Sequence, residues 1–151
     1  MSSISLVSAP RDKLWAFVNT RLGIPWSSDF RAIGVVKNDC LAAVVAYNGF
    51  TGRSCFMHSA IDDPSVIGRT FVQAIFDYPF NSCGCTHILA QVEGSNARAL
   101  DIDIRCGFKE IHRLERAALD GSDLVLLQLT RDECRWLKGN HNGKEERSSG
   151  T

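Results

Sequence analysis

The sequence predicts a single layered domain in which helices flank a central β-sheet. A length of 151 residues fits one domain. Segments in which apolar residues recur every three or four positions are interspersed with short β-rich runs, a pattern typical of α+β or mixed α/β folds. Hydrophobic residues make up 44% of the chain and charged residues 23%, which are ordinary values for a globular domain and argue against a wholly disordered chain.

The first half of the chain predicts one helix followed by three strands. A helix is expected to begin at Pro10, because proline favours the first helical position, and to end near Gly23. Two β-rich runs at 32–37 and 41–47 flank the polar pair Asn38-Asp39, which predicts an antiparallel hairpin. A third strand is expected at about 53–60.

The second half predicts a helix at 65–77, where apolar residues fall on one helical face and Pro79 marks the end. A nearly continuous apolar run at 86–92 predicts a central strand that is covered on both faces. Two further strands are expected at 110–117 and 123–130, followed by a short helix at 131–138.

The segment from Gly94 to Phe108 gives conflicting signals. Its apolar residues alternate with polar ones from Leu100 onward, which is a strand pattern. Its ends favour a helix, since Ser95 or Asn96 is a good N-cap and Gly107 suits a left-handed C-terminal position.

Charge and cysteine content narrow the function classes. The 17 lysines and arginines balance 17 aspartates and glutamates, and a net charge of zero excludes the broad basic surface that nucleic-acid binding needs. No apolar run approaches the roughly 18 residues of a membrane span, and no secretory signal is found. We therefore expect a cytoplasmic protein with no nucleic-acid or membrane partner. Its six cysteines are expected to be reduced, and none has the spacing of a metal site.

The register of Asn96, Ala99, Gly107 and Phe108 resembles a motif of the GNAT superfamily of N-acetyltransferases. The resemblance covers residues 10–137 and implies a GNAT-like central mixed, mostly antiparallel sheet flanked by helices. It places one domain at 1–138 and leaves a polar tail at 139–151, which its composition predicts to be disordered. The segments FDYPF and LLQLTRDECRWL are similar to parts of acetyltransferase-like proteins of tailed phages.

The family resemblance implies a site for acetyl-CoA at the start of the helix predicted at 65–77. GNAT proteins hold the pyrophosphate with Arg/Gln-x-x-Gly-x-Gly/Ala, because backbone N–H groups at a helix N-terminus favour anions. Gly68 matches the second small position, whereas Val66 replaces the first glycine and Asp63 replaces the arginine or glutamine. The residues assigned to cofactor binding are Ser65, Val66, Ile67, Gly68, Arg69 and Asn96.

Acid–base candidates follow from the same resemblance. His58 is the best candidate base, since imidazole titrates near neutral pH, and Asp62 is the second choice. Many GNAT enzymes have a tyrosine acid seven residues after the motif asparagine, where this chain has Asp103. A solvated aspartate is expected to be ionised and unable to donate a proton.

These features predict an N-acetyltransferase that moves an acetyl group from acetyl-CoA to a primary amine of a protein or small molecule. The amine would attack directly in an opening between the strands predicted at 53–60 and 86–92. The alternative is a catalytically inactive GNAT-fold binding protein that acts through protein contacts, which the departures at Asp63, Val66 and Asp103 favour. A homodimer is possible if the apolar strand at 123–129 lies at a sheet edge.

Overall fold

A seven-stranded sheet in the order β1-β2-β3-β4-β5-β7-β6 forms the centre of the molecule. The structure, a computed structural model, describes residues 3–137, so the predicted tail at 139–151 lies outside the described residues. The strands are β1 (Ile4–Val7), β2 (Arg31–Lys37), β3 (Cys40–Asn48), β4 (Ser54–Ile61), β5 (His87–Glu93), β6 (Lys109–Leu114) and β7 (Leu124–Thr130), and the helices are α1 (Arg11–Leu22), α2 (Arg69–Asp77) and α3 (Ala97–Cys106). Neighbouring strands are antiparallel except for β4 and β5, which are parallel. The predicted α+β fold class is confirmed.

Several helices and strands begin or end where the sequence predicts, at residues that favour turns or helix ends. Helix α1 follows Pro10 and ends at Gly23, which adopts the left-handed conformation with φ 69°. Asn38 and Asp39 have φ values of 51° and 70°, as expected for a tight hairpin turn between β2 and β3. The ambiguous segment is a helix, because Asn96 caps the start of α3 and Gly107 ends it with φ 112°.

The predicted helix at 65–77 begins later than expected. A 3₁₀ turn at Pro64–Val66 is followed by Ile67 and Gly68 in extended conformations, and α2 starts only at Arg69. The predicted end at residue 77 is confirmed, since α2 ends at Asp77 and a separate π-helical turn follows over Tyr78–Ser82. Pro79 is tolerated there because it occupies the first turn of that segment, where a proline's missing N–H is not needed.

Three further expectations differ from the structure. Residues 131–137 form turns instead of a helix. Strand β1 is not predicted, because it is only four residues long and mostly exposed at the sheet edge. Strand β7 lies between β5 and β6, so the condition that the strand at 123–129 lies at a sheet edge is not met, and β6 forms that edge instead.

Helices cover the two faces of the sheet unequally. On one face α1 packs on β2, β3 and β4, where Leu14 and Val18 meet Val44 and Ala60 in a small core. On the opposite face α2 and α3 flank the larger core, and the buried Tyr47 hydroxyl donates a hydrogen bond to the Ile75 carbonyl at 2.6 Å.

The α1 side of β5 is open, contrary to the prediction of cover on both faces. Its buried residues Ile88, Ala90 and Val92 point to the larger core, whereas Gln91 on the other face is exposed. Strand β7 alternates in the same way. Within residues 3–137, no helix is both long and apolar enough to cross a membrane.

Candidate active site

Strands β4 and β5 separate shortly after they meet. Their parallel ladder joins residues 54–56 to residues 87–89. Beyond it β4 continues beside β3, and β5 continues beside β7. A slit therefore opens between the two strands, in the position that the sequence analysis expects, with unpaired strand edges on both sides.

A cavity of about 1000 Å³ occupies this slit. Its walls come from elements on both sides of the sheet, so the slit connects the two faces. The walls include His58 and Ser59 from β4, Gln91 and Glu93 from β5, Asn96, Arg98 and Asp103 beside or within α3, Leu22 and Ile24 around the end of α1, and Leu119 and Leu124 near the start of β7.

A smaller cavity of about 410 Å³ lies between α2, α3 and the C-terminal turns. Ile67 and Ile102 line both cavities, so the two adjoin. The smaller cavity has three arginines on an otherwise mainly apolar wall, and the wall-forming residues are Ile67, Gly68, Arg69, Val72, Ile102, Arg105, Cys106, Arg135 and Trp136. Such a cavity suits an anionic group attached to a flat or apolar one.

His58 is placed to accept a proton. Its Nε2 lies 2.8 Å from Asn48 Oδ1, and since an amide oxygen only accepts, Nε2 carries the hydrogen and Nδ1 keeps its lone pair. Burial lowers the pKa of His58 below 6.5, so the ring is neutral at pH 7. The second candidate, Asp62, forms two hydrogen bonds with Arg21 at 2.7 and 2.8 Å, which lower the pKa of Asp62 and make it a weaker base.

Asp103 differs from its predicted state. The sequence suggests a solvated, ionised carboxylate, but α3 holds Asp103 partly buried beside the larger cavity, and this desolvation raises its pKa to about 6. Burial also raises the pKa of the nearby Cys106 thiol, to about 11. The desolvation depends on packing between distant elements, so no local pattern in the sequence reveals it.

Asp63 is paired, and its negative charge is therefore compensated. Its carboxylate accepts hydrogen bonds from the Ser65 amide and hydroxyl at 3.0 and 2.6 Å, and from Lys37 Nζ at 3.1 Å. The bonds from Ser65, followed by that from Lys37, lower the pKa of Asp63 to about 2. Lys37 comes from the β2–β3 hairpin, and the sequence gives no signal of this pairing.

The start of α2 has the features of an anion site. No side chain caps the helix at Gly68, and its first turn contains no acidic residue. The first amides of a helix have no partners within it, so those of α2 are available to a ligand. A Cβ added at Gly68 would meet nothing within 4 Å, which leaves space for an incoming group.

The other predicted cofactor residues are placed differently from one another. Arg69 and Ile67 line the smaller cavity. Asn96 lines the larger one, and its Oδ1 accepts a hydrogen bond from the Ala99 amide at 3.1 Å. Ser65 lines neither and instead contacts Lys37 and Asp63, while the Val66 side chain is 5% exposed and packs in the core.

Sequence reasoning missed the cationic wall formed by Arg105, Arg135 and Trp136. The Arg135 guanidinium lies 4.4 Å from the centroid of the Trp136 ring and donates to the Arg105 carbonyl. The indole Nε1 donates to the Cys106 carbonyl at 2.9 Å. These contacts join the C-terminal turns to the end of α3 across about 30 residues, a separation that leaves no periodic signal.

The chain matches no protein-family model and no curated protein sequence. It is similar in structure to a variant of spermidine N-acetyltransferase SpeG from Vibrio cholerae, with a TM-score of 0.71, 18% identity, and coverage of 84% of this chain and 93% of that one. Glutamate-to-glutamine mutant forms of the spermidine/spermine N-acetyltransferase SpeG from the same organism give a TM-score of 0.71 at 16% identity over 93% and 98% of the two chains. A dodecameric form of spermidine N-acetyltransferase from Vibrio cholerae gives 0.69 at 17% identity over 85% and 94%. The chain therefore has the GNAT fold of the N-acetyltransferases.

Proposed function

We propose that this protein is an N-acetyltransferase that moves an acetyl group from acetyl-CoA to a primary amine. The observation that carries this proposal is the slit between β4 and β5, which places His58 and Asp103 in one cavity. That cavity adjoins the uncapped start of α2. Proton-accepting and proton-donating groups thus lie next to an anion site, as transfer from a thioester of a phosphorylated carrier requires.

The residues present fit the anionic carrier. The first amides of α2 would hold the pyrophosphate, with Gly68 allowing close approach and Arg69 adding positive charge. Arg105 and Arg135 would face the remaining phosphate, while Trp136 supplies an aromatic surface for the base. Lys37 compensates for Asp63, so the acidic residue in the motif does not exclude an anion.

Bound acetyl-CoA would supply an activated acetyl group as its thioester. His58 Nδ1 takes a proton from the attacking amine, and Asp103 gives a proton to the departing sulfur. One C–N bond forms and one C–S bond breaks, so atoms and protons balance. The unpaired edges of β4 and β5 would hold the carrier arm as an added strand does, which makes positioning a main source of rate.

Calorimetry with acetyl-CoA tests the cofactor proposal. We expect binding to the unmodified protein and a loss of affinity of about 100-fold or more in Gly68→Glu, because a carboxylate would occupy the anion site. Gly68→Ala is the matched control. Its Cβ has open space and the backbone φ of −119° suits any residue, so its affinity should stay within a few-fold of the unmodified protein.

An absence of heat at millimolar acetyl-CoA would overturn the enzyme proposal and favour the alternative, an inactive GNAT-fold protein that acts through protein contacts. Unchanged affinity in Gly68→Glu would mean that the start of α2 is not the anion site. The structurally similar proteins are spermidine and spermidine/spermine N-acetyltransferases, which supports an amine as the acceptor in general.

Four other properties belong to the same proposal. We propose one domain at 1–138, a location in the cytoplasm, where acetyl-CoA and amines meet, and a source among tailed phages, which the short segment resemblances support.

We also propose a homodimer, in which exposed apolar side chains of the edge strand β6, Ile111 and Leu114, are available to a second copy. The dodecameric neighbour supports assembly in general, and light scattering in solution tests it.

A further inference from the structure

We infer that the acceptor is a monoamine whose single amino group is attached to an apolar body, and that polyamines are poor acceptors. This inference rests on the proposed acetyl transfer and deepens it. Its basis is the composition of the cavity wall on the α1 side of the sheet, where apolar side chains lie beside a few polar ones and Glu93 offers one unpaired carboxylate.

The acceptor enters from the α1 side of the slit. Helices α2 and α3, which bear the proposed carrier site, lie on the opposite face. His58 pairs with Ala46, which packs in the α1 core, so the imidazole belongs to the α1 face. On β5 that same face presents Gln91 and Glu93, since the alternate residues point to the larger core.

Apolar side chains dominate this approach. Leu22 and Ile24 border the cavity where α1 ends, and Leu124 borders it at the start of β7. Leu119 stands at the mouth and is 100% exposed. A hydrocarbon body that lies across these side chains would remove apolar surface from water on both partners.

Only one ammonium finds a counter-charge on this side. No other residue in the described part of the chain forms an ion pair or hydrogen bond with the Glu93 carboxylate, so it is free to receive the amine. Asp62 is occupied by Arg21 at 2.7 Å, and the other carboxylate of the cavity, Asp103, belongs to α3 on the opposite face of the sheet. A second ammonium on the α1 side would therefore meet apolar side chains and Arg21, and an unpaired charge in such a site is unfavourable.

A matched pair of acceptors tests the inference. Hexylamine and 1,6-diaminohexane have the same carbon chain and differ in the second amino group. With acetyl-CoA and the unmodified protein, release of the CoA thiol should give a kcat/KM about tenfold or more higher for hexylamine. Spermidine should resemble the diamine, and calorimetric titration of the amines without acetyl-CoA should show the same order of affinity.

Two single substitutions locate the preference. Leu119→Glu places a carboxylate at the mouth and should shift the ratio toward the diamine by about tenfold. Ile4→Glu is its control, because it makes the same kind of change at a 52% exposed residue on β1, away from the cavity. Glu93→Gln should raise KM for both amines and leave their ratio nearly unchanged.

The outcomes separate this inference from the proposed function. Binding of acetyl-CoA together with equal or better use of the diamine would overturn the acceptor inference alone. Leu119→Glu with an unchanged ratio would also count against it. A protein that does not bind acetyl-CoA would lack the proposed activity, and the acceptor inference would fall with it.

Discussion

His58 and Asp103 show how burial tunes single side chains at the slit. Burial disfavours the charged form of each group, so it lowers the pKa of His58 and raises the pKa of Asp103 to about 6. Both shifts increase the fraction of the neutral form at physiological pH. A catalytic base must be unprotonated there, and a catalytic acid must hold a proton. Opposite shifts in two groups that line one cavity are a common feature of acid–base sites.

The same shift makes Asp103 a source of instability at neutral pH. Between pH 4 and 6 the folded protein holds a proton on Asp103 that the unfolded chain has lost, so stability falls as pH rises through this range. We expect Asp103→Asn to raise the free energy of unfolding at pH 7 by about 2 kcal/mol. Urea unfolding at several pH values should show this gain shrinking toward pH 4.

The exposed Asp132 supplies a control for that experiment. Asp132→Asn should change the free energy of unfolding by less than about 0.5 kcal/mol at either pH. If Asp103→Asn raised the free energy of unfolding equally at pH 4 and pH 7, the burial argument would be contradicted. The difference between aspartate and asparagine at this position would then not come from the charge.

The pH dependence of kcat should report both groups. Activity is expected to rise as His58 loses its proton, with a midpoint below 6.5, and to fall as Asp103 loses its own near 6. Asp103→Tyr places a phenol that keeps its proton to about pH 10, so the falling limb should move to higher pH. A profile in which His58→Gln keeps the rising limb would count against His58 as the base.

Among the elements, α2 and α3 begin in contrasting ways. Asn96 closes the start of α3 by accepting from the Ala99 amide, whereas α2 starts at Gly68 with no side-chain cap. A capped start contributes to stability, while an uncapped start leaves amides for a ligand. The start of α3 is therefore closed by its own side chain, whereas the start of α2 is open for the proposed ligand.

Loss of the Asn96 cap should affect stability first. We expect Asn96→Ala to lower the free energy of unfolding by about 1 kcal/mol, because an amide of α3 loses its acceptor. Asn96→Asp should retain most of the stabilisation from the cap, since a carboxylate also accepts a hydrogen bond from the helix amide. Urea unfolding measures both, and equal losses in the two variants would show that the cap contributes little.

The elements that the sequence predicted are those with local signals. Gly23 and Gly107 mark helix ends, and the pair Asn38-Asp39 marks the hairpin, because backbone conformation there depends on neighbours in the chain. Residues 131–137 were predicted as a helix but form turns, held by contacts of Arg135 and Trp136 with α3. The family register drew attention to Gly68 and Asn96, which the structure places at the starts of α2 and α3, whereas the partial burial of Asp103 depends on tertiary packing that no local pattern contains.

The whole molecule is held together by cores on both faces of the sheet, and the described C-terminal turns belong to one of them. Cys134 and Leu137 are 0% and 3% exposed within the larger core. The domain proposed at 1–138 therefore includes the C-terminal end of the described residues, which packs in this core.

Truncation tests this boundary. A chain that ends at residue 138 should unfold with a free energy within about 0.5 kcal/mol of the full chain. A chain that ends at residue 133 loses two buried side chains and should be less stable by about 3 kcal/mol or more. Equal stability of the two truncated chains would contradict the packing role of Cys134 and Leu137.

The short parallel ladder is the backbone connection between two groups of strands in the sheet. Strands β1 to β4 form one antiparallel unit and β5, β7 and β6 form another, and residues 54–56 and 87–89 are the ladder between them. A ligand that lies in the slit and contacts both units adds interactions between them beside this short ladder. Occupancy should then resist separation of the units, and a ligand at a hundredfold excess over its dissociation constant adds about 2.7 kcal/mol to the free energy of unfolding.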